Sequence, residues 1–157
     1  MATSPVHTRV LADLGRALSL ELSAVQQYLT QAVLAEEWGD SVAADRFRRE
    51  TVEEMQHAER IVKRMIQLGV APGASQLQPA QHATTLVGLL RLNRELEWQL
   101  VTHYAEAMAL CQRLGDAENE AFFHDLWREE RQHGEELDSW LISLESAPSP
   151  ALAGAAI

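Results

Sequence analysis

The chain has 157 residues, of which 46% are hydrophobic and 23% charged, an ordinary composition for one globular domain. Its single cysteine, Cys111, excludes an internal disulfide framework and any all-thiolate metal site. The formal net charge of −10 disfavours a nucleic-acid partner, which would need clustered Lys and Arg, and favours cations. Because the apolar runs are too short for a membrane span and no signal-peptide pattern is present, we expect no membrane association and a cytoplasmic protein.

Apolar residues recur at helical spacing, and glycine and proline cluster at a few places, which predicts an all-α fold. The Ser-Pro pair at residues 4–5 is suited to cap and begin the first helix. The Gly-Asp pairs at 39–40 and 115–116 are typical of tight turns where one helix ends and the next is capped. The predicted helices cover residues 5–38, 40–68, 84–114 and 116–145.

The connector before the third helix, residues 69–83, exceeds the usual length of about 2–8 residues between neighbouring bundle helices. It therefore predicts two antiparallel hairpins joined by a crossover, in preference to a plain up-and-down bundle. Residues 1–145 are expected to form this bundle domain, and residues 146–157 a Pro/Ala-rich tail. Since Pro148 and Pro150 interrupt a helix, we expect no long fifth helix in the tail.

The two predicted hairpins match each other when the sequence is shifted by 76 residues. Both Gly-Asp turns coincide, and Tyr28 coincides with Tyr104. This internal repeat predicts a pseudo-twofold axis, so that equivalent residues of both hairpins point inward. The equivalent acidic and histidine pairs are Glu21 and Glu97, Glu54 and Glu130, and His57 and His133.

Each hairpin thus carries the same set, which is Glu21 or Glu97 on its first helix and Glu-x-x-His on its second. Glu54 and His57 share a helix face, and counting from the turn puts Glu21 within ~1–2 Å of the height of His57. Four buried carboxylates need counter-charge, which two divalent cations supply. One imidazole per metal with many carboxylate oxygens favours iron or manganese. Solvated acidic helix faces are the alternative, but two matched sets of Glu and Glu-x-x-His favour the metal centre. The same combination of ligands occurs in ferritin-like di-metal proteins.

At these residues the sequence resembles the bacterioferritins, and the similarity covers most of residues 10–145. The matching segments are Glu-Leu-x-Ala-x-x-Gln-Tyr at 21–28, Glu-Met-x-His-Ala-Glu at 54–59 and the Glu130/His133 pair. The resemblance implies a ferritin-like four-helix bundle with a di-iron ferroxidase centre, in which Glu54 and Glu130 bridge the metals. The implied catalytic and metal-binding residues are Glu21, Glu54, His57, Glu97, Glu130 and His133, with Tyr28 as a redox-active tyrosine beside them.

Bacterioferritins oxidise Fe(II) to Fe(III) with O2 or H2O2 and deposit the ferric mineral in a hollow homo-oligomeric cage. The resemblance therefore implies a ferroxidase for iron storage, detoxification and iron homeostasis, a 24-mer cage built from twofold dimers, and a ferredoxin-type reductant for iron release. A small ferritin-like di-iron oxidase or oxygenase without iron storage would use the same six ligands and is the alternative. The mass of the native particle would distinguish the two.

Met55 follows a predicted ligand, so its side chain lies about 100° away from the inward face of the helix. Its equivalent in the second hairpin is Arg131. In bacterioferritins a methionine at this place binds a b-type haem at the twofold dimer interface, and the resemblance implies the same for Met55; an interface hydrophobe is the alternative. Arg49 stands where many bacterioferritins have a cavity-facing histidine, which leaves open whether a cavity-side iron site exists.

Overall fold

The computed structural model describes residues 5–147, and this part of the chain forms four α-helices and no strand, as the sequence predicts. The predicted Ser4 cap and the question of a fifth helix after Pro148 lie outside the described residues. The division of the chain at residue 145 stays a prediction. The helices are α1 (Thr8–Glu37), α2 (Ser41–Gln67), α3 (Leu86–Leu114) and α4 (Ala117–Glu145).

Local capping sets the helix boundaries. The expected start of α1 at Pro5 is wrong, because His7 has extended backbone angles (φ −64°, ψ 136°) and its Nδ1 accepts a hydrogen bond from the backbone amide two residues on. The helix therefore begins at Thr8. Asp40 and Asp116 cap α2 and α4 as predicted, each accepting a hydrogen bond from the amide three residues later.

The crossover is confirmed by the path of the connector between α2 and α3. The backbone amides of Gln76 and Gln78 donate to the hydroxyls of Ser19 and Ser23 on α1. Further along, the backbone of Gln81 forms hydrogen bonds with two glutamine side chains of the same helix. The connector thus follows α1 towards its C-terminal half, so that α3 starts at the opposite end of the bundle from the end of α2.

The two hairpins pack with the same internal arrangement, as the sequence repeat predicts. In the first hairpin Tyr28 lies against Phe47, with ring centroids 6.3 Å apart; in the second, Tyr104 lies against Phe123 at 6.2 Å. All four rings are fully buried. This pseudo-symmetry brings the equivalent polar residues of both hairpins to one level in the middle of the bundle.

None of the four helices in the described residues is both long enough and apolar enough to cross a membrane.

Candidate metal centre

The six carboxylate and histidine side chains that the repeat singled out converge inside the bundle, and none is more than 8% exposed. They form two groups of four, and within each group the potential ligand atoms lie within 4.8 Å of one another. Glu54 and Glu130 belong to both groups. The groups are Glu21, Glu54, His57 and Glu130, and Glu54, Glu97, Glu130 and His133.

The two shared carboxylates each direct one oxygen to each imidazole. Glu54 Oε2 lies 3.5 Å from His57 Nδ1, and its Oε1 lies 3.1 Å from His133 Nδ1. Glu130 Oε1 lies 2.7 Å from His57 Nδ1, and its Oε2 lies 3.2 Å from His133 Nδ1. Glu21 is on the His57 side, with 3.6 Å between Oε2 and Nδ1. This arrangement is suited to two metal positions that share two bridging carboxylates.

The polar atoms that point into this centre lack hydrogen-bond partners among residues 5–147, even where they approach one another closely. An unpaired buried polar atom costs about 1–3 kcal/mol, so the set would be strongly destabilising without cations or extra protons. Divalent cations would satisfy all of these atoms together, and the carboxylate-rich donor set fits iron or manganese. The atoms are one oxygen each of Glu21 and Glu97, both oxygens of Glu54 and Glu130, and Nδ1 of His57 and His133.

The outer nitrogen of each histidine is held by a carboxylate of the other hairpin. His57 Nε2 lies 2.9 Å from Glu129 Oε2, and His133 Nε2 lies 2.8 Å from Glu53 Oε2. Arg60 also donates to Glu129, at 2.7 Å. Such contacts fix the orientation of a metal-binding imidazole. Glu53 and Glu129 are not among the predicted site residues, although both directly precede a predicted ligand and are equivalent in the repeat.

Two buried tyrosines hold the two remaining carboxylates. Tyr28 donates a hydrogen bond from its hydroxyl to Glu97 Oε1 at 2.5 Å, so it lies beside the centre as expected. Tyr104 donates in the same way to Glu21 Oε1. Tyr104 is not among the predicted site residues, but the 76-residue repeat indicates it, since it aligns this residue with Tyr28.

Burial and mutual repulsion change the acidity of the carboxyl groups. Burial, reinforced by the charge of Glu54, raises the pKa of Glu21 to about 8 and that of Glu97 to about 7. Burial and the neighbouring carboxylates also raise the pKa of Glu130 well above its usual value. For Glu54, burial is outweighed by the adjacent imidazoles and its pKa is lowered, so this group carries negative charge in the cluster.

The pKa values of the two histidines are raised as well, but by the neighbouring charges and not by burial. Burial alone would lower their pKa values, but the surrounding carboxylates outweigh it and raise the pKa of His133 to about 10 and that of His57 still further. Both imidazoles are therefore protonated at neutral pH in the absence of metal. Protons supply the counter-charge of the cluster, and metal ions must displace them in order to bind.

Met55 points away from the centre and is 49% exposed, as its place on the helix predicts. Three further apolar side chains of the first hairpin are similarly exposed: Leu29 by 51%, Val33 by 50% and Val52 by 56%. We call these four residues the Met55 face. The equivalent position of the second hairpin differs, because the guanidinium of Arg131 lies over the ring of a neighbouring tryptophan instead.

Comparisons with known proteins find similar sequences over most of the chain. Residues 11–147 match the ferritin-like domain family. The chain is 30% identical over 133 residues to the bacterioferritin of Brucella melitensis biotype 1, which covers 85% of this chain and 83% of that protein. It is also 30% identical over 131 residues to the bacterioferritin of Rhodobacter capsulatus, and this match covers 83% of this chain and 81% of that protein.

A solved structure provides a comparison at the level of the fold. The bacterioferritin of Rhodobacter capsulatus, described with a metal-free dinuclear site and a haem iron in a crystallographic special position, superposes with a TM-score of 0.85. Its sequence identity to this chain is 28%, and the match covers 90% of this chain and 89% of that one.

Proposed function

The chain belongs to the bacterioferritin family of ferritin-like proteins, and on this premise we propose that it stores iron and oxidises Fe(II) to Fe(III) at the centre described above. The oxidant is O2 or H2O2. The observation that carries the proposal is the pair of shared carboxylates: Glu54 and Glu130 each direct one oxygen to either side of the centre. Two metal ions held in this way are close enough to react together with one oxidant molecule.

Each side of the centre has its own terminal ligands in this proposal. Glu21 and His57 hold one Fe(II), and Glu97 and His133 hold the other. Two Fe(II) ions supply two electrons, the number that converts O2 to H2O2 or H2O2 to water. The residues of the chain bind the substrate ions, keep bulk water out of a fully buried cluster, and give up protons from the imidazoles and carboxyls as the ions enter.

Rapid mixing of the metal-free protein with Fe(II) under air tests the proposal. We expect a fast oxidation phase that saturates at two Fe(II) per subunit and is abolished by Glu54→Ala and by Glu130→Ala. Glu59→Ala is the matched control, because this carboxylate is exposed on the same helix as Glu54 and should leave the fast phase unchanged. A fast phase that persists in both bridge variants would show that oxidation takes place elsewhere.

The storage part of the proposal requires a cage. We propose that twofold dimers assemble into a hollow 24-mer and that a ferredoxin-type reductant releases the stored iron. The native mass before and after aerobic iron loading tests the cage: a large particle that gains mass as ferric mineral supports it. A dimer that turns over Fe(II) without retaining it would instead identify a small di-iron oxidase.

We also propose that the Met55 face forms the twofold dimer interface, with a b-type haem bound between two copies of Met55. The thioether is half-exposed, and Val52, three residues earlier on the same helix, and Leu29 and Val33 on α1 are exposed as well. This fits the proposed use, since a thioether is a known axial ligand of haem iron. Haem-supplemented expression should give a low-spin b-type spectrum that is lost in Met55→Leu. A spectrum that survives this substitution would identify a different ligand.

A further inference from the structure

The centre contains two tyrosine contacts related by the pseudo-twofold axis. Tyr28 on α1 donates to Glu97 on α3, and Tyr104 on α3 donates to Glu21 on α1, so each contact crosses from one hairpin to the other. Both tyrosines are fully buried. Each hydroxyl therefore has a defined partner, and that partner is a carboxylate on the opposite hairpin.

These contacts divide the two oxygens of each terminal carboxylate between two roles. Oxygen Oε1 accepts the tyrosine hydrogen bond in both Glu21 and Glu97. Oxygen Oε2 is buried in both cases without a hydrogen-bond partner among the described residues, and that of Glu21 lies 3.6 Å from Nδ1 of His57. Each tyrosine thus leaves one carboxylate oxygen for a metal ion.

We propose that Tyr104 is a positioning residue, which holds Glu21 as a one-oxygen ligand of the metal position beside His57 in the way that Tyr28 holds Glu97 beside His133. The inference rests on the function proposed above. Without the hydroxyl of Tyr104, Glu21 is free to rotate and to present both oxygens or neither to the metal. The position beside His133 keeps its own tyrosine and is unaffected.

Anaerobic titration with Co(II) alone, followed by its visible absorption, tests this role without relying on catalysis. The wild-type protein should bind two Co(II) per subunit. In Tyr104→Phe, we expect one of the two Co(II) ions to bind about tenfold more weakly, at the low end of the 10–100-fold loss usual for such supporting contacts. The absorption band of that ion should also change, because its intensity depends on the number of coordinating atoms.

Two matched variants locate the effect. Tyr28→Phe should weaken the other metal position to a similar extent, and the double variant should weaken both. In crystals of Tyr104→Phe soaked at limiting Co(II), anomalous scattering should be reduced beside His57 and retained beside His133. The retained position is an internal control for correct folding, since a misfolded centre would lose both.

Three results would overturn the inference. Unchanged affinities and spectra in Tyr104→Phe would show that the hydroxyl does not position the ligand. Equal weakening at both positions would make Tyr104 a general structural residue. A wild-type protein that binds no pair of Co(II) ions would overturn the proposed function itself, and this inference with it.

Discussion

Metal loading of the centre should release protons in a number that follows from the arrangement of the cluster. At pH 7 and without metal, both imidazoles are protonated, because the carboxylates raise the pKa of His133 to about 10 and that of His57 further. Burial keeps Glu21, with a pKa of about 8, and Glu130 mainly protonated as well. Two divalent cations should therefore displace about four protons per subunit.

The magnitude of the resulting pH dependence is large. If about four protons leave as two cations enter, the combined binding constant rises about 10⁴-fold per pH unit near pH 7, which is about 5 kcal/mol for the pair. The exchange is nearly electroneutral, since four positive charges on protons are replaced by four on metal ions. Affinity should therefore rise steeply from about pH 6 to about pH 8, less steeply once Glu21 has lost its proton, and level off only above about pH 10, where the imidazoles lose theirs.

Anaerobic Co(II) titration in weakly buffered solution with a pH indicator measures the release directly. Glu21→Gln should lower the count by about one proton, whereas Glu59→Gln, at an exposed position of α2, should leave it unchanged. Release of fewer than about two protons per subunit would contradict this prediction, because protons could not then balance the charge of the carboxylates in the metal-free centre.

The melting temperature of the metal-free protein should fall as pH rises from about 5 to about 10, because the folded-state pKa values of Glu21 and His133 exceed their unfolded values and their stabilisation is lost on deprotonation; scanning calorimetry that shows rising stability would contradict this. Glu129→Gln should weaken metal binding about 10–100-fold in the same Co(II) titration, because Nε2 of His57 loses the carboxylate that orients its ring. An unchanged affinity would show that Glu129 does not orient His57. Phe47→Ala should destabilise the protein by about 3–5 kcal/mol in urea unfolding, since it empties a fully buried site; a loss below about 1 kcal/mol would mean that the site collapses. Gly115→Ala should cost about 1–2 kcal/mol in the same assay because of the φ of +69° at this turn, and equal stability would show that the turn can adopt another conformation.

The six centre residues could be predicted because every step depends on local spacing. Glu54 and His57 are three residues apart on one helix, and the tight turn at residues 39–40 fixes the level of Glu21 opposite them. The repeat then places the second set without further information. The inward orientation of these side chains could be predicted because two matched sets of carboxylates and imidazoles at one level favour a shared metal centre over two solvated acidic faces.

The supporting contacts could not be predicted in this way. Glu53 and Glu129 are partly exposed acids on helix surfaces, and their contacts with His133 and His57 cross between hairpins, so they depend on how the hairpins rotate against each other. The predicted start of the first helix at Pro5 is wrong for a different reason. The Ser-Pro pair at residues 4–5 is typical of a helix start, but the extended backbone of His7 excludes Pro5 from the helix.

The central claim is that two metal ions share Glu54 and Glu130 inside one subunit. Anomalous diffraction from crystals soaked anaerobically with Fe(II), collected at the iron edge, tests it directly. We expect two peaks per subunit about 3.5–4 Å apart, one beside His57 and one beside His133, with both shared carboxylates between them. A single peak, or iron bound only at the partly exposed Glu50 and Glu53, would contradict it.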